Sequence, residues 1–438
     1  MVSLRRMLLV CLTVVSLTLA SLPSTPRASA LTITVPDGDV AALIQAINDA
    51  NSTQGADEIV LAANATYTLT TEDNDSNGLP IITSEITITG NGATITRDAG
   101  APEFRILEIG DGGSLTIDSV TISNGVAYEG GGIYVDSASL TMINSTVTGS
   151  TSFYGGAIYN DVGSLTLINS TLNGNISNDD GGGIYTWRGT MTLTNSTVSD
   201  NHVPADGGGI YNNSTATTIT NSTISLNGAE DGGGIFYEAG LVTLMNTIVA
   251  GNTSSDDGPD IDGPLTTDSS YNLIGNGLDV IGVADGVNGN QVGTNQNPID
   301  PRLGQLQDNG GPTQTMALLD GSPAINAGND AVAPATDQRG IARPQGAASD
   351  IGAYEVEGEA ESPYVELCEL TQSVVRNASV ARSACLTLMI AEQAVASGNV
   401  TLEQIALLNY EVQIRSAISR RYVSTRDGQM LITMARAI

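Results

Sequence analysis

Lysine is absent from the 438-residue chain: all 16 basic side chains are Arg, set against 47 Asp and Glu. Mechanisms that need a lysine base, a Schiff base or a phosphate-loop lysine are therefore excluded. A formal net charge of −31 also excludes a nucleic-acid partner, because neutralising phosphates takes a basic face. Histidine occurs once and tryptophan once, and no Ser-His-Asp set or zinc pattern is present. The single His202, in Asn201-His-Val-Pro204, reads as a solvated loop residue. Long apolar runs are missing too. After Met7–Ala20, no segment approaches the roughly 18 apolar residues of a membrane span.

What is present begins with an export signal over residues 1–30. Arg5 and Arg6 precede the apolar run, and Ala28-Ser29-Ala30 places small residues for cleavage before Leu31. The expected location is outside the cell or on its surface. Charge then divides the remainder: 38 of the acids and six Arg lie in residues 31–355, but nine acids and seven Arg in residues 356–438.

Self-similarity dominates the middle of the chain. Gly130-Gly-Gly-Ile-Tyr134 recurs as Gly155-Gly-Ala-Ile-Tyr159, Gly181-Gly-Gly-Ile-Tyr185, Gly207-Gly-Gly-Ile-Tyr211 and Gly232-Gly-Gly-Ile-Phe236. A second block, Leu-Thr-Met/Leu-x-Asn-Ser-Thr, follows each one, with Asn144, Asn169, Asn195, Asn221 and Asn246 in the same register. Both markers step by about 25 residues, the signature of stacked supersecondary units. Alternation in Leu165-Thr-Leu167 and Met191-Thr-Leu193 is strand periodicity, and Thr, Val and Ile fill the runs. A unit this short cannot bury its own apolar face. Stacked coil on coil, strands about 4.8 Å apart pair in parallel around one core. The expected fold is all-β, a right-handed parallel β-helix of about ten coils. Val40, Leu43, Ile44 and Ile47 predict a short amphipathic capping helix at its start.

These blocks resemble secreted bacterial right-handed parallel β-helix proteins of the pectin-lyase-like superfamily. Downstream, Asn297-Pro-Ile-Asp-Pro-Arg302, Asp308-Asn-Gly-Gly-Pro312, Gly321-Ser-Pro-Ala-Ile-Asn326, Asp337-Gln-Arg-Gly340 and Asp350-Ile-Gly-Ala-Tyr-Glu355 resemble the choice-of-anchor Q domain of surface proteins. Leu43–Thr70 is similar to the start of surface proteins named for a Cys-Ser-Leu-Arg-Glu-Ala motif, with Ala41-Ala-Leu-Ile-Gln-Ala46 at the aligned place. The resemblance implies a fold and a surface location; the superfamily holds both enzymes and binding proteins. The domain reading is a signal at 1–30, a β-helix with its cap at 31–295, a closing region at 296–355 and a helical module at 356–438.

Each repeated column has two readings. The Asn column is either an internal amide ladder or a set of glycan acceptors, and the ladder is preferred because one Asn recurs at one phase in five coils. Tyr134, Tyr159, Tyr185, Tyr211 and Phe236 follow a buried Ile, so alternation turns them outward. With Asp180, Asp206, Asp231, Trp187 and Arg188 they form either a carbohydrate-binding face or a self-stacked ladder, the latter preferred. Asp73, Asp75 and Asn77 match the first half of a calcium loop, and Asp256, Asp257 and Asp260 form a second cluster; each is a candidate calcium site or an Asx-rich turn. No other cofactor is indicated. No catalytic residue is assigned, and the one place where a lyase-like arrangement could assemble is Arg188 near Asp179, Asp180 and Asp206.

In the C-terminal module, Val365–Ala396 and Leu402–Tyr422 read as helical. Leu402, Ile405, Leu408 and Val412 form one apolar line and Leu407, Ile414 and Ile418 another, which predicts a broad packed face. Cys368 and Cys385 are either free thiols or a disulfide. A bridge demands a turn between them, near Arg376–Ser379, because one unbroken helix would hold their Cα atoms roughly 26 Å apart. The expected function is binding, adhesion or structure at the cell surface, with polysaccharide or another surface component as partner. The alternatives are a polysaccharide lyase or glycoside hydrolase, and a calcium-stabilised spacer.

Overall fold

The computed structural model describes residues 30–53, 55–358, 363–397 and 399–438; the segment expected to be an export signal lies outside them apart from Ala30. Alternating aliphatic and hydroxyl residues build a right-handed parallel β-solenoid of about nine turns. Each regular turn presents three faces. The first is built from Leu-Thr-Leu strands such as Ser139–Ile143, Ser164–Ile168 and Thr190–Thr194, all in parallel register. Short Thr-Val-Thr strands such as Thr171–Asn173 and Thr197–Ser199 form the second. Strands Ile133–Asp136, Ile158–Asp161, Ile184–Trp187 and Ile210–Asn213 form the third. Their inward residues stack into a continuous aliphatic core that includes Ile133, Ile158, Ile184, Ile210 and Ile235. Helix α1, Val40–Asn51, is capped by the Asp39 carboxylate and seals the first turn with Leu43, Ala46, Ile47 and Ala50. That Asx cap and amphipathic spacing are what the sequence pattern requires.

The glycine triplets have two physical causes. Their first glycines, such as Gly181, take a positive φ that side-chain-bearing residues rarely adopt. At the second, a Cβ on Gly182 would collide with the carbonyl of Gly208 one turn on.

Inside the corner between the second and third faces runs an amide ladder that the Asn-Ser-Thr blocks do not contain. Asn175, Asn201, Asn227 and Asn252 are buried; Asn175 Oδ1 accepts from Ser150 N, and each of the other three accepts at Oδ1 from both the backbone and the side-chain amide of the preceding Asn. Asp260 ends the series by accepting from Asn252 twice. A parallel hydroxyl series runs through Ser145, Ser170, Ser196 and Ser222, the Ser of the Asn-Ser-Thr block. The Asn of that block is different. It turns the corner at positive φ, and only Asn169 to Asn144 and Asn246 to Asn221 keep the side-chain bond across turns.

The rungs between are intercepted by residues 296–355. This stretch does more than close the end of the solenoid: it folds back along the second face. Asn195 and Asn221 donate to the carbonyls of Thr336 and Asp350, Thr197 Oγ1 donates to Gln338 Oε1, and Gly352 N donates to Asn246 O. Ile248 and Leu273 pack outward against Leu318, Ala324 and Ile351 in a second small core. The glycan-acceptor reading fails at Asn195, Asn221 and Asn246, whose amides are engaged by this flank.

The C-terminal module is an up-down bundle of α2 (Pro363–Val374), α3 (Ala378–Ala396), α4 (Val400–Ser419) and α5 (Thr425–Ala435). Cys368 and Cys385 form a disulfide with Cα atoms 4.9 Å apart, across the break between α2 and α3. One expectation is corrected. The α4 line Leu402, Ile405, Leu408 and Val412 faces outward, while Ala406, Tyr410, Ile414 and Ala417 enter the core. Small residues win the inside because the four helices approach closely around Tyr410, whose hydroxyl pairs with Thr371 at 2.5 Å. Among the described residues, no helix is long and apolar enough to cross a membrane.

A candidate ligand-binding strip on the third face

Parallel register brings one residue per turn to the same place, so the outward column of the third face reads Glu108, Tyr134, Tyr159, Tyr185, Tyr211, Phe236 and Asp262. The rings from Tyr159 to Phe236 stack on one another, with centroids 5.0, 4.5 and 5.2 Å apart. Tyr134 meets Tyr159 edge-on at 5.4 Å. Each ring covers its neighbour, which leaves Tyr159, Tyr185 and Tyr211 nearly buried although they project from the barrel. Ring faces in the middle of the column are thus occupied, and their hydroxyl edges are what the surface presents.

Carboxylates border this column. On one side Asp206 pairs across turns with Asp231, Asp206 N donates to Asp180 Oδ1, and Asp257 N donates to Asp231 Oδ1. On the other lie Asp136, Asp161 and Trp187 in one register. Glu238 stands at the irregularity where Asn213 pairs with Ala239. Burial pushes Asp180 up to about 6, with Asp179 and Glu238 adding to the shift while the bond from Asp206 N opposes it. Asp206 is pushed up to about 6 by burial and then by Asp180, Asp231, Glu230 and Asp262. Every ionised neighbour named there is an acid. Cations stand only at the margins: Arg105 lies over Tyr134 and pairs with Glu108 at 2.6 Å, and Arg188 lies over Trp187. Arg188 acts on Asp161 and lies over Trp187, just past the end of strand Ile184–Trp187, whereas Asp180 and Asp206 stand ahead of the starts of their third-face strands. The positive φ of Arg188 carries it around the corner onto the adjoining groove with Ser137, Val162 and Gly189.

The clearest aromatic platform was invisible to the repeat because it lies in the connecting loops. Tyr128 stacks on Phe153 at 5.1 Å and 7°. Tyr154 meets both edge-on and reaches Tyr185 at 5.3 Å. Tyr128 is 63% exposed, so this pair offers ring surface that the stacked column does not. A hydrogen bond to Asp179, after burial, helps to push the Tyr154 phenol up to about 12. The paired aromatics in Ala127-Tyr128-Glu129 and Ser152-Phe153-Tyr154 were the available signal, one repeat apart.

Each calcium candidate has one member whose side chain is engaged elsewhere. Asn77 is buried and closes the loop through Asp73 N and Asn74, while its side-chain Oδ1 accepts from Arg105 at 3.0 Å. Asp260 points inward to the amide ladder and to Asn276 N, leaving Asp256 and Asp257 on the surface. Among the described residues, no group of three or more His, Cys, Asp or Glu is placed to hold a metal ion.

The raised carboxyls make stability fall with pH. A group whose folded pKa lies above its unfolded value contributes its full stability below about pH 4, and loses it as pH rises through about 6. Asp180 and Asp206 are partly solvated, so each accounts for on the order of 1 kcal/mol. Urea unfolding is expected to show a more stable protein at pH 4.5 than at pH 7.5, with the difference reduced in Asp180→Asn and Asp206→Asn. A pH dependence unaltered by both substitutions would refute the assignment.

The fold and its strip define a right-handed parallel β-helix protein. In agreement, residues 105–292 match the family described as the right-handed beta helix region, a span that holds the whole aromatic column. No curated protein and no solved structure matches the chain.

Proposed function

We propose that this is an exported surface protein that binds an uncharged polysaccharide along the third face. The observation that carries the reading is a row of carboxylates without cationic partners, running beside the exposed Tyr128–Phe153 pair. Carboxylates accept hydrogen bonds from sugar hydroxyls, and aromatic faces stack on sugar rings. A polyuronate is disfavoured, because its charge has the same sign as the strip. The resemblance of residues 297–355 to the choice-of-anchor Q domain and the signal-like residues 1–30 support a surface location.

Affinity electrophoresis tests this with xyloglucan, galactomannan and polygalacturonate. The two neutral polymers are expected to retard the protein and the polyuronate to leave it unshifted. Tyr128→Ala combined with Phe153→Ala is expected to weaken retardation about tenfold, the value of one or two stacking contacts. Equal mobility in all three gels, or a double variant that binds as well as the parent, refutes the reading.

A second reading, glycoside hydrolysis, has one specific support: Asp180 and Asp206 lie on adjacent turns, and burial pushes each carboxyl up to about 6, which favours keeping one of them protonated as a general acid beside an ionised partner. Release of reducing ends that is lost in Asp180→Asn and Asp206→Asn, while retardation persists, would favour it over simple binding.

A further inference from the structure

One corner of the solenoid stops short. Between the second and third faces, Val126, Thr151, Ile176, His202, Gly228 and Thr253 pair in parallel, one per turn. Each donates its N–H to the turn before it, His202 to Asn175 O, Gly228 to Asn201 O and Thr253 to Asn227 O. Its carbonyl accepts in return, His202 O from Ser177 N and Gly228 O from Val203 N. One residue thus makes both bonds to its neighbour, as a parallel ladder requires. The turn after Thr253 supplies no such residue. It cuts across the corner: Gly275 N donates to Val249 O and Asn276 N to Asp260 Oδ2, and Val280 is already back on the third face beside Gly263.

What remains at residues 252–254 is an open strand edge beside a cavity of about 510 Å³. Among the described residues, no donor reaches Asn252 O and no acceptor reaches Ser254 N, the two groups that a further rung would use. Ser254 Oγ, in the wall of the same cavity, is also shielded from solvent without a hydrogen-bond partner. Asn276, Pro298, Ile299 and Pro301 form the opposite wall. An edge left like this is a template for pairing with another chain.

The missing rung dictates what fits. A carbonyl and an N–H spaced to bond one residue call for extended peptide backbone, the mode of strand addition, and a sugar supplies neither half of that pair. The register of Ser254 is held in earlier turns by Ser152, Ser177, Val203 and Ala229, so the space beside it suits a small side chain. Charge narrows the choice further. Asp300 lines the cavity, Asp256 and Asp257 follow the edge, and no Arg stands in either wall. Basic residues flanking the small one complement those carboxylates.

We propose that the edge at Asn252–Ser254 is a strand-addition site for an extended basic peptide, which completes the corner ladder with a small residue set against Ser254. The third-face strip takes no part in it, so the site is independent of polysaccharide binding.

Fluorescence anisotropy of a rhodamine-labelled Lys-Thr-Ala-Lys peptide amide, titrated with the full chain, is the test. In this register the peptide's Thr lies opposite Thr253 and its Ala opposite Ser254. Saturable binding is expected. Ser254→Pro removes only the N–H that faces away from the neighbouring strand, a place where an edge tolerates proline. It is expected to weaken binding about tenfold, the value of one hydrogen bond. N-methylation of the peptide's Thr removes the donor to Asn252 O and leaves the protein untouched, so it decides the matter even if Ser254→Pro does not fold; a similar loss is expected. Replacing both peptide Lys by Glu is expected to abolish binding. Absence of binding to the unsubstituted chain overturns the proposal. Binding that survives both Ser254→Pro and N-methylation overturns it equally, as does an acidic peptide that binds as well as the basic one.

Discussion

Asn227→Ala is expected to lower the unfolding free energy by about 3–5 kcal/mol, more than any change on the exterior of the solenoid. Asn227 Oδ1 accepts from Asn201 N at 3.0 Å and from Asn201 Nδ2 at 2.9 Å. Its own amide donates to Val198 O, Ser225 O and Asn252 Oδ1. Truncation removes five bonds and leaves buried donors and acceptors with no water to take them, each costing about 1–3 kcal/mol before relaxation. The loss also breaks the coupling between turns on which a quasi-one-dimensional fold depends. Amide exchange is therefore expected to accelerate across residues 195–260 before it does so around α1. Asn144→Ala provides the contrast, because its side chain is partly exposed and makes two bonds, donating to Asp118 and accepting from Asn169; about 1 kcal/mol is expected there. Urea unfolding of the two variants decides the matter, and equal losses would show that the inner column is no more important than the outer one.

A comparable effect is expected where the flank is pinned. Arg343 pairs with Glu355 at 2.7 Å with both side chains out of contact with solvent. Glu355 also accepts from Asp350 N and Gln345 N, while Arg343 donates to the carbonyls of Asp350 and Gly352. Burial is the leading influence on both, pushing the Glu355 carboxyl up and the Arg343 guanidinium down. Such a pair adds little net stability, yet removing one member strands the other charge, at about 3–5 kcal/mol. Glu355→Ala is therefore expected to destabilise by that amount and to release residues 296–355 from the second face. The measurable result is new cleavage within this stretch by a nonspecific protease, with the turns upstream of residue 140 still protected. Arg343→Met combined with Glu355→Leu should recover most of the loss. Unchanged cleavage in Glu355→Ala would mean that Gln338 and the Asn contacts hold the flank unaided.

These two results bear on different levels of the molecule. The ladder concerns how one turn recognises the next, and the buried pair concerns how a distant segment recognises the stack. Only the first repeats. A repeating contact leaves a trace at a fixed period, and Asn175, Asn201, Asn227 and Asn252 do keep the period of the Ile-Tyr strands. They were hidden by their variable neighbours, whereas the Asn-Ser-Thr block drew attention to an outer corner. The Tyr128–Phe153 platform was hidden for a related reason: one turn contributes each aromatic, and a pair is not a column.

Periodicity alone determined the stacked architecture, the inward isoleucines, the outward tyrosines and the capping helix. Those features follow from local alternation and from one residue per turn facing one way. The tertiary structure decided which amides lie inside, where Arg188 points, how residues 296–355 lie against turns up to 168 positions earlier in the chain, and which line of α4 enters the bundle. Each of these depends on a partner that is far away along the chain or contributed by a single turn, and a period carries phase but no information about such partners.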